Sequence, residues 1–216
     1  RGVKKSKIEL VPNGCDLNLL SCGEDPWRPE GVENSDLMAI FTGTHGIANG
    51  LNSAIDAASE LQKRGRKDIK LVFVGQGKLK DSLVERAAKE KLTNVVFHEP
   101  VNKAKLAGLM KSADIGMQLL ANIPAFYFGT SPNKFFDYIS AGLPVLNNYP
   151  GWLSEMIVKH ECGFSIPPDD PSLFADALEK AAENRESLNK MGRNARKLAE
   201  AEFDRQKLAD KWINWV

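Results

Sequence analysis

Long hydrophobic runs and an excess of charge of one sign are both absent from this 216-residue chain. No apolar run approaches the roughly 20 residues that a helix needs to cross a bilayer. The first residues carry neither an initiator methionine nor an apolar signal segment. Lys+Arg number 29 and Asp+Glu 28, so the formal net charge of +1 lacks the basic field that attracts nucleic acids or membranes. We therefore expect a cytoplasmic fragment without a nucleic-acid partner.

Cysteine pairs and closely spaced histidines are missing as well. The three cysteines, which form no Cys-x-x-Cys motif, are Cys15, Cys22 and Cys162. The three histidines, which lack the spacing of zinc ligands, are His45, His98 and His160. The sequence therefore predicts free structural thiols and no metal site.

What the chain does contain is an ordinary globular composition, 43% hydrophobic and 26% charged, in which short apolar runs alternate with amphipathic stretches. That alternation predicts an α/β fold made of βαβ units. The six predicted strands are residues 37–42, 69–74, 94–98, 115–119, 144–147 and 163–166. Because the strands are almost continuously apolar, we expect a six-stranded parallel sheet covered by helices on both faces, in three layers.

Helical periodicity predicts the connections and a helical C-terminal part. The helices predicted between strands are residues 51–64, 79–90 and 103–112. After the last strand three consecutive helices are expected, with Asp170 and Pro171 at the start of the first and with Gly192 and Asp204 as the punctuating residues.

The same patterns divide the chain into three parts. Residues 1–35 are typical of an interdomain linker and the segment leading into a domain, residues 36–200 form the domain itself, and residues 201–216 form a C-terminal helix. Trp212 and Trp215 on that helix leave two alternatives open. The helix docks on its own domain, or it covers a neighbouring domain that is absent here.

Ligands of an open parallel sheet bind beyond the carboxyl ends of the strands, so the loops there are the candidate site. The first, GTHGIANG, begins at Gly43, and its glycines and following helix suit a phosphate, although a plain tight turn is the alternative. The second repeats small residues at Gly75 and Gly77. Main-chain groups of residues 98–101 could pair with a planar base, unless Pro100 only ends its strand.

The segment GTSPNKFFDYISAGLPV carries the most chemistry. Ser131 followed by Pro132 predicts a helix N-cap with proline at N1, which leaves the amides of Asn133 and Lys134 free at the positive end of a helix. Asp137, three residues after Lys134, offers a carboxylate to two hydroxyl groups. The spacing fits a diphosphate joined to a ribose, and an exposed Lys134–Asp137 ion pair is the alternative.

These motifs, in this order, resemble those of a known enzyme family. VPNGCD (residues 11–16) resembles the family's Pro-Asn-Gly-Val-Asp, and DYISAGLPV (residues 137–145) resembles its Glu-Ala-Met-Ala-x-Gly-x-Pro-Val signature. Over nearly its whole length the chain is similar to the C-terminal, nucleotide-sugar-binding Rossmann-like domain of GT-B glycosyltransferases of family 4, also called group 1. The strings GTHGIANGL and GTSPNK resemble a subgroup that builds bacterial surface polysaccharides, including transferases of N-acetylated 6-deoxyhexosamines.

The resemblance implies a retaining glycosyltransferase of the hexosyl type. Its donor would be a nucleoside diphosphate sugar, UDP-linked, and it would need no metal or other cofactor. The acceptor pocket would lie on an N-terminal domain absent here, so that the fragment alone is expected to be inactive. The expected acceptor is a lipid-linked saccharide at the inner face of the bacterial inner membrane, in O-antigen or capsule biosynthesis.

The resemblance also implies roles for single residues. Asp137 stands where a family glutamate grips the ribose, Val101 and Leu106 would flank the base, and Gly43 and the amides beyond it would lie under the diphosphate. Catalytic roles fall on Lys134 and His45. The full expected binding set is Gly43, Thr44, His45, Gly46, Asn49, Gly75, Gly77, Val101, Leu106, Thr130, Ser131, Pro132, Asn133, Lys134 and Asp137.

The first loop departs from the family pattern at two positions. Thr44 stands where the family commonly has an arginine, and Asn49 stands where it has a lysine, and both family residues neutralise the pyrophosphate. The diphosphate charge is therefore expected to rest on Lys134, His45 and helix dipoles.

A third departure concerns the sugar. Gly129 occupies the place of the first acidic residue of the family's Glu-x7-Glu pair, which holds the donor sugar. The main-chain amides around Thr130 and Ser131 are expected to take over that task.

Two other protein classes share this architecture. A dinucleotide-dependent oxidoreductase should show Gly-x-Gly-x-x-Gly after the first strand and an acidic residue about 20 positions later, and neither is present. A non-catalytic regulatory or interaction domain stays open, because the missing basic and acidic residues could mean that ligand binding has been lost. Nucleotide binding distinguishes a glycosyltransferase from a non-catalytic domain.

Overall fold

The computed structural model describes residues 2–4, 7–18 and 24–215. Cys15 and Cys162 are buried free thiols, as predicted, whereas Cys22 lies outside the described residues. No helix within those described ranges is both long and apolar enough to cross a membrane.

Six strands form one sheet in the order β3-β2-β1-β4-β5-β6, and every adjacent pair is parallel. They are β1 (Leu37–Thr42), β2 (Ile69–Val74), β3 (Val95–His98), β4 (Ile115–Gln118), β5 (Val145–Asn147) and β6 (Gly163–Ser165). The predicted six-stranded parallel sheet is confirmed. The chain order reverses between β1 and β4, so the crevice of this sheet opens where their loops diverge.

Nine α-helices lie within the described residues. They are α1 (Asn52–Lys63), α2 (Lys80–Lys89), α3 (Lys103–Ser112), α4 (Pro124–Tyr127), α5 (Asn133–Ser140), α6 (Trp152–Lys159), α7 (Pro171–Glu183), α8 (Arg185–Glu202) and α9 (Arg205–Trp215). A 3₁₀ turn, Ile47–Asn49, precedes α1. Asp170 caps α7 through Leu173 N, as expected, but α4 and α6 were not predicted from the sequence.

Gly192 does not punctuate the C-terminal helices, contrary to expectation, because it lies inside α8. The break falls at Asn184, whose side chain accepts a hydrogen bond from Ser187 N and caps α8. A Cβ at Gly192 would lie 2.5 Å from the carbonyl oxygen of Gly142. The glycine therefore permits α8 to pack closely on the turn after α5, and it is a packing residue.

Two apolar clusters cover the two faces of the sheet. Met38 and Ile40 of β1 pack with α3, α5, α6 and α8 on one face. Leu37, Ala39 and Phe41 pack with α1, α2 and α7 on the other. Because alternate residues of a strand point to opposite faces, a strand buried on both sides must be apolar throughout, which explains the continuous runs.

The α8–α9 junction is joined to the segment before the domain. Cys15 N donates to Phe203 O at 2.8 Å, and Arg205 N donates to Cys15 O at 3.1 Å. Beyond this junction no side chain of α9 within Arg205–Trp215 is buried, and Trp212 and Ile213 are 52% and 65% exposed. In this structure Trp212 and Trp215, 52% and 44% exposed, are only partly covered.

Tyr138 attaches α5 to the centre of the sheet. Its ring lies so close to β4 that a Cβ at Gly116 would be 2.3 Å from its Cγ. Its hydroxyl accepts a hydrogen bond from Thr42 N at 2.9 Å and lies 3.0 Å from Thr42 Oγ1. This contact fixes α5 relative to the end of β1, where the first glycine loop begins.

We expect Tyr138→Phe to lower the free energy of unfolding by about 1–3 kcal/mol, because the buried Thr42 amide would lose its acceptor. Urea denaturation of the two proteins measures the difference. An unchanged unfolding midpoint would show that the hydroxyl contributes nothing to holding α5.

Candidate functional site

The first two glycine loops interlock at the carboxyl ends of β1 and β2. Gly43 N donates to Val74 O at 3.0 Å, and His45 N donates to Gln76 O at 3.0 Å. Gly75 has φ +151°, and a Cβ there would lie 1.9 Å from Gly43 O. Only glycine allows this approach, so Gly75, a residue of the predicted binding set, forms the floor of the crevice.

A cleft of about 350 Å³ opens above these loops. Its lining residues are Thr42, Gly43, Thr44, Val74, Gly75, Gln76, Pro100, Val101 and Leu106. Five of them belong to the predicted binding set: Gly43, Thr44, Gly75, Val101 and Leu106. The other four, Thr42, Val74, Gln76 and Pro100, are each adjacent in sequence to a residue of the predicted set, and that adjacency was the available sequence signal.

A cavity of similar size, about 340 Å³, lies at the opposite end of the sheet, beside the starts of β4 and β5. Its carboxylate, Asp114, is already held by Arg28 and Arg185, and it accepts a hydrogen bond from Met38 N. That cavity lies away from the carboxyl ends of the strands, where ligands of open parallel sheets bind. The cleft at the carboxyl ends is therefore the better candidate site.

The first loop carries backbone N–H groups without partners in the described part of the chain. The amide of Gly43 itself is bonded to Val74 O, so it is not available to a ligand, and the prediction that Gly43 and the amides beyond it lie under a diphosphate stays a prediction. The amides of Thr44 and Gly46 have no hydrogen-bond partner among the described residues. These two donors, rather than Gly43, can receive an anion.

The second group of donors is the start of α5. Pro132, with φ −81° and ψ 128°, occupies the N-cap position, which corrects the predicted cap at Ser131. The extended backbone of Pro132 delays the helix by one residue, and Phe135 N makes the first bond, to Pro132 O. The amides of Asn133 and Lys134 precede that bond, and they remain free of intrahelical partners as predicted.

Lys134 reaches from α5 back to the first loop. Its Nζ donates to Asn49 Oδ1 at 3.1 Å and lies 4.0 Å from the centroid of the Phe41 ring. A Cβ at Gly43 would lie 3.5 Å from Lys134 Cε. Burial lowers the pKa of the Lys134 ammonium to about 8, so the group is still mostly cationic at neutral pH.

Asp137 does not pair with Lys134, which removes the alternative of a simple helix ion pair. Its half-buried carboxylate has no hydrogen-bond or ion-pair partner among the described residues. Burial raises its pKa, and the nearby Lys103 and Arg205 oppose that rise. A carboxylate left without a partner inside a site has its acceptor positions available for hydroxyl groups.

The loop before α5 is held by hydrogen bonds between side chains and backbone carbonyls. Thr130 Oγ1 donates to Phe126 O at 2.6 Å, and Thr130 O accepts from Trp152 Nε1 at 3.0 Å. A Cβ at Gly129 would meet no atom within 4 Å, so the space beside this glycine is open. The expectation that amides near Thr130 hold a sugar stays a prediction.

His45 is placed differently from the expectation that it would supply charge to a ligand. Its side chain has no exposed surface and lies among the rings of Phe41, Phe73 and Phe97, at centroid distances of 6.1, 6.3 and 6.3 Å. Neither ring nitrogen has a hydrogen-bond partner among the described residues. Burial, assisted by the positive charge of Lys80, lowers the pKa of the imidazole, so that it is neutral at pH 7.

The backbone of His45, by contrast, is part of the site. Its amide is bonded to Gln76 O, and its carbonyl oxygen accepts from Leu79 N at 2.9 Å. A Cβ at Gly77 would lie 2.7 Å from His45 N. The backbone of His45, in the first glycine loop, therefore holds the second glycine loop in place through two hydrogen bonds.

Because the pKa of His45 is lowered from 6.5 in the folded chain, only the unfolded state takes up its proton as the pH falls below that value. We expect this to reduce the free energy of unfolding by up to about 1.4 kcal/mol per pH unit. Lowering the pH from 7 to 5 should therefore destabilise the wild type more than His45→Leu, so that the unfolding free energy of the variant rises relative to that of the wild type. Parallel curves for the wild type and His45→Leu would contradict the assignment.

With this geometry known, comparison with other proteins identifies the family. A family profile described as "Glycosyl transferases group 1" matches residues 24–198, most of the chain. The chain belongs to the group 1 glycosyltransferase family. The resemblance seen in the motifs is confirmed.

Similar proteins of known activity include D-inositol 3-phosphate glycosyltransferase of Paenarthrobacter aurescens, 29% identical over 93% of this chain and 49% of that protein. The O-antigen chain mannosyltransferase C of Escherichia coli is 24% identical over 87% of this chain and 47% of that protein. This group 1 domain thus spans about half the length of these relatives.

Solved structures show the same fold. WaaG, a glycosyltransferase involved in lipopolysaccharide biosynthesis, matches 97% of the chain and 56% of its own length, with a TM-score of 0.71 and 21% identity. Anabaena HepE in complex with UDP and glucose matches 99% of the chain and 57% of its own length, with a TM-score of 0.77 and 18% identity. The expected fold, the C-terminal half of a GT-B enzyme, is confirmed.

Proposed function

We propose that this domain binds the nucleoside diphosphate sugar donor, UDP-linked, of a retaining glycosyltransferase. The observation that carries the proposal is that Lys134 of α5 reaches Asn49 and Gly43 of the first loop, beside a glycine-lined cleft that Thr44, whose amide is unpaired among the described residues, also lines. A structure of HepE, a protein of the same fold, holds UDP-glucose, which supports the same class of ligand here.

Lys134 restores the charge that the first loop lacks. The family's lysine position holds Asn49, and the ammonium of Lys134 lies 3.1 Å from the side-chain oxygen of that asparagine. A cation is therefore present where the family pattern has one, although another element supplies it. This argues against the alternative of a non-catalytic domain that has lost its diphosphate site.

In the proposed reaction the bond between the anomeric carbon and the diphosphate oxygen breaks, and an acceptor hydroxyl forms the new bond and loses its proton. Negative charge grows on the departing diphosphate. The Lys134 ammonium and the amides of Thr44, Gly46 and Asn133 would stabilise that charge without a metal ion. Among the described residues no group of three or more His, Cys, Asp or Glu side chains is arranged to hold a metal.

The nucleoside would lie along the remaining walls of the cleft. Asp137 would accept hydrogen bonds from the ribose hydroxyls, since its carboxylate has no partner in the described chain. Val101 and Leu106, which line the cleft beside Pro100, would flank the base. The sugar would extend toward Ser131 and the open space beside Gly129.

We propose further that the whole protein acts in bacterial surface polysaccharide biosynthesis, O-antigen or capsule. The motif resemblance supports this, as do relatives named O-antigen chain mannosyltransferase C and D-rhamnosyltransferase WbpZ, the second from Pseudomonas aeruginosa and 28% identical over 72% of the chain and 39% of that protein. The proposed donor sugar is an N-acetylated 6-deoxyhexosamine, and the proposed acceptor is a lipid-linked saccharide at the cytoplasmic face of the inner membrane.

The acceptor pocket is proposed to lie on an N-terminal domain outside this chain, and the domain alone would then be inactive. The exposed side chains of Trp212 and Ile213 support this. Lys211 Nζ forms an ion pair with Glu9 Oε1 at 2.5 Å, so α9 and the segment leading into the domain lie side by side. Both would pack on the absent domain.

Calorimetric titration of the chain with UDP tests the proposal. We expect saturable binding to the wild type and affinity reduced about 10- to 100-fold in Asp137→Asn, because hydrogen bonds to a charged acceptor contribute about 1.5–3 kcal/mol. Asp81→Asn, which alters an exposed carboxylate on α2, is the matched control. Binding of UDP by Asp137→Asn with wild-type affinity would remove Asp137 from the ribose, and absence of binding to the wild type would contradict the proposed function.

We also expect the affinity for UDP to fall as the pH rises through about 8, because the Lys134 ammonium then loses its proton. The phosphate groups are already ionised in that range, since their second pKa is about 6. Lys134→Met should bind UDP more weakly at pH 7, and its affinity should no longer depend on pH. The control Lys89→Met, at the far end of α2, should keep the wild-type affinity and the wild-type pH dependence. A wild-type affinity that is constant between pH 7 and pH 9 would exclude Lys134 from the diphosphate.

A further inference from the structure

Asn13 links two parts of the chain that are distant in sequence. We call residues 13–17 the leading segment and residues 129–134, which include the start of α5, the donor loop. Asn13 Nδ2 donates to Ser131 O at 2.9 Å and lies 3.3 Å from Asn133 Oδ1. Although Asn13 is itself exposed, these contacts span 118 and 120 residues of sequence.

The carbonyl of Ser131, which accepts this hydrogen bond, belongs to a peptide without an N–H group. Ser131 precedes Pro132, whose nitrogen carries no hydrogen, so the peptide between them contributes only an acceptor. Ser131 lies two and three positions before Asn133 and Lys134, whose amides have no intrahelical partner. If this oxygen turned toward the cleft, its negative end would oppose a diphosphate there.

Two residues further along, the leading segment is bonded to the α8–α9 junction. Cys15 exchanges backbone hydrogen bonds with Phe203 and Arg205, and its thiol donates to Phe203 O at 3.3 Å. A Cβ at Gly14 would lie 2.8 Å from Leu208 Cδ1. Three consecutive residues thus contact the donor loop on one side and the start of α9 on the other.

We propose that Asn13 is a positioning residue for the donor site. It holds the Ser131 carbonyl away from the diphosphate and couples the conformation of the donor loop to the α8–α9 junction. This inference rests on the proposed function, because it assigns the anion at the donor loop to the diphosphate of the donor. Asn13 itself touches no reacting atom.

Titration with UDP and UMP tests the positioning role in Asn13→Ala, Asn13→Asp and the control Asn18→Ala, which alters an exposed asparagine nearby. We expect Asn13→Ala to weaken UDP binding about tenfold, a loss typical of one hydrogen bond. Asn13→Asp should weaken it further, since a carboxylate cannot donate and adds negative charge. Both variants should also lose discrimination between UDP and UMP, whereas a merely destabilising change would leave that ratio unaltered.

Amide hydrogen exchange of the ligand-free chain tests the coupling independently of any nucleotide. In Asn13→Ala we expect faster exchange at the first turn of α5 and at the Arg205 amide, and no change there in Asn18→Ala. If the wild type binds UDP and Asn13→Ala binds it equally well with unchanged exchange, the inference is overturned and the proposed function stands. If the wild type binds no nucleotide, the proposed function fails, and the exchange data alone decide whether Asn13 couples the two segments.

Discussion

The contact between the ring of Tyr138 and the bare backbone of Gly116 sets the geometry on which the candidate site depends. A side chain at residue 116 would overlap the ring, so the glycine lets α5 sink onto the middle of the sheet. The Tyr138 hydroxyl then bonds to Thr42, the last residue of β1. Because Lys134 and Asp137 lie on the same short helix, their positions relative to the first glycine loop follow from this contact.

Lys134 of α5 places a positive charge beside the first glycine loop. The first loop carries neutral residues at Thr44 and Asn49, where the family pattern has two cations. Lys134 reaches across to Asn49 and rests over the Phe41 ring, where partial burial lowers its pKa to about 8. A desolvated cation interacts more strongly with an anion than a solvated one, so Lys134 suits the diphosphate role proposed for it.

His45 illustrates the opposite use of a titratable group. Its imidazole is buried and makes no hydrogen bond to any residue the structure describes, which is unfavourable, while its backbone bonds the second glycine loop. The aromatic rings around it supply packing in place of polar partners. The site therefore gains a rigid floor and no charge from this residue. Outside the site, Trp212 and Ile213 of α9 are exposed, and Lys211 of the same helix pairs with Glu9.

Much of this molecule could be predicted from local sequence, because local geometry determines it. The alternation of apolar runs identified all six strands to within about one residue at their ends, and the Asp170-Pro171 pair identified the start of α7. Because the strands were predicted to be parallel, the loops that follow them were expected at one edge of the sheet, so Gly43 and Gly75 could be assigned to one crevice.

The tertiary structure decided which way side chains point and which distant segments meet. Sequence spacing placed His45 in a phosphate loop but could not show that its ring turns into the core. It could not show that Lys134 pairs with Asn49 rather than with Asp137, or that Asn13 holds the donor loop, since these contacts join residues 85 and 118 positions apart. The packing role of Gly192 and the extended Pro132 likewise depend on neighbours from elsewhere in the chain. Periodicity reports which face of an element is buried, whereas contacts between elements depend on how the packed layers bring them together.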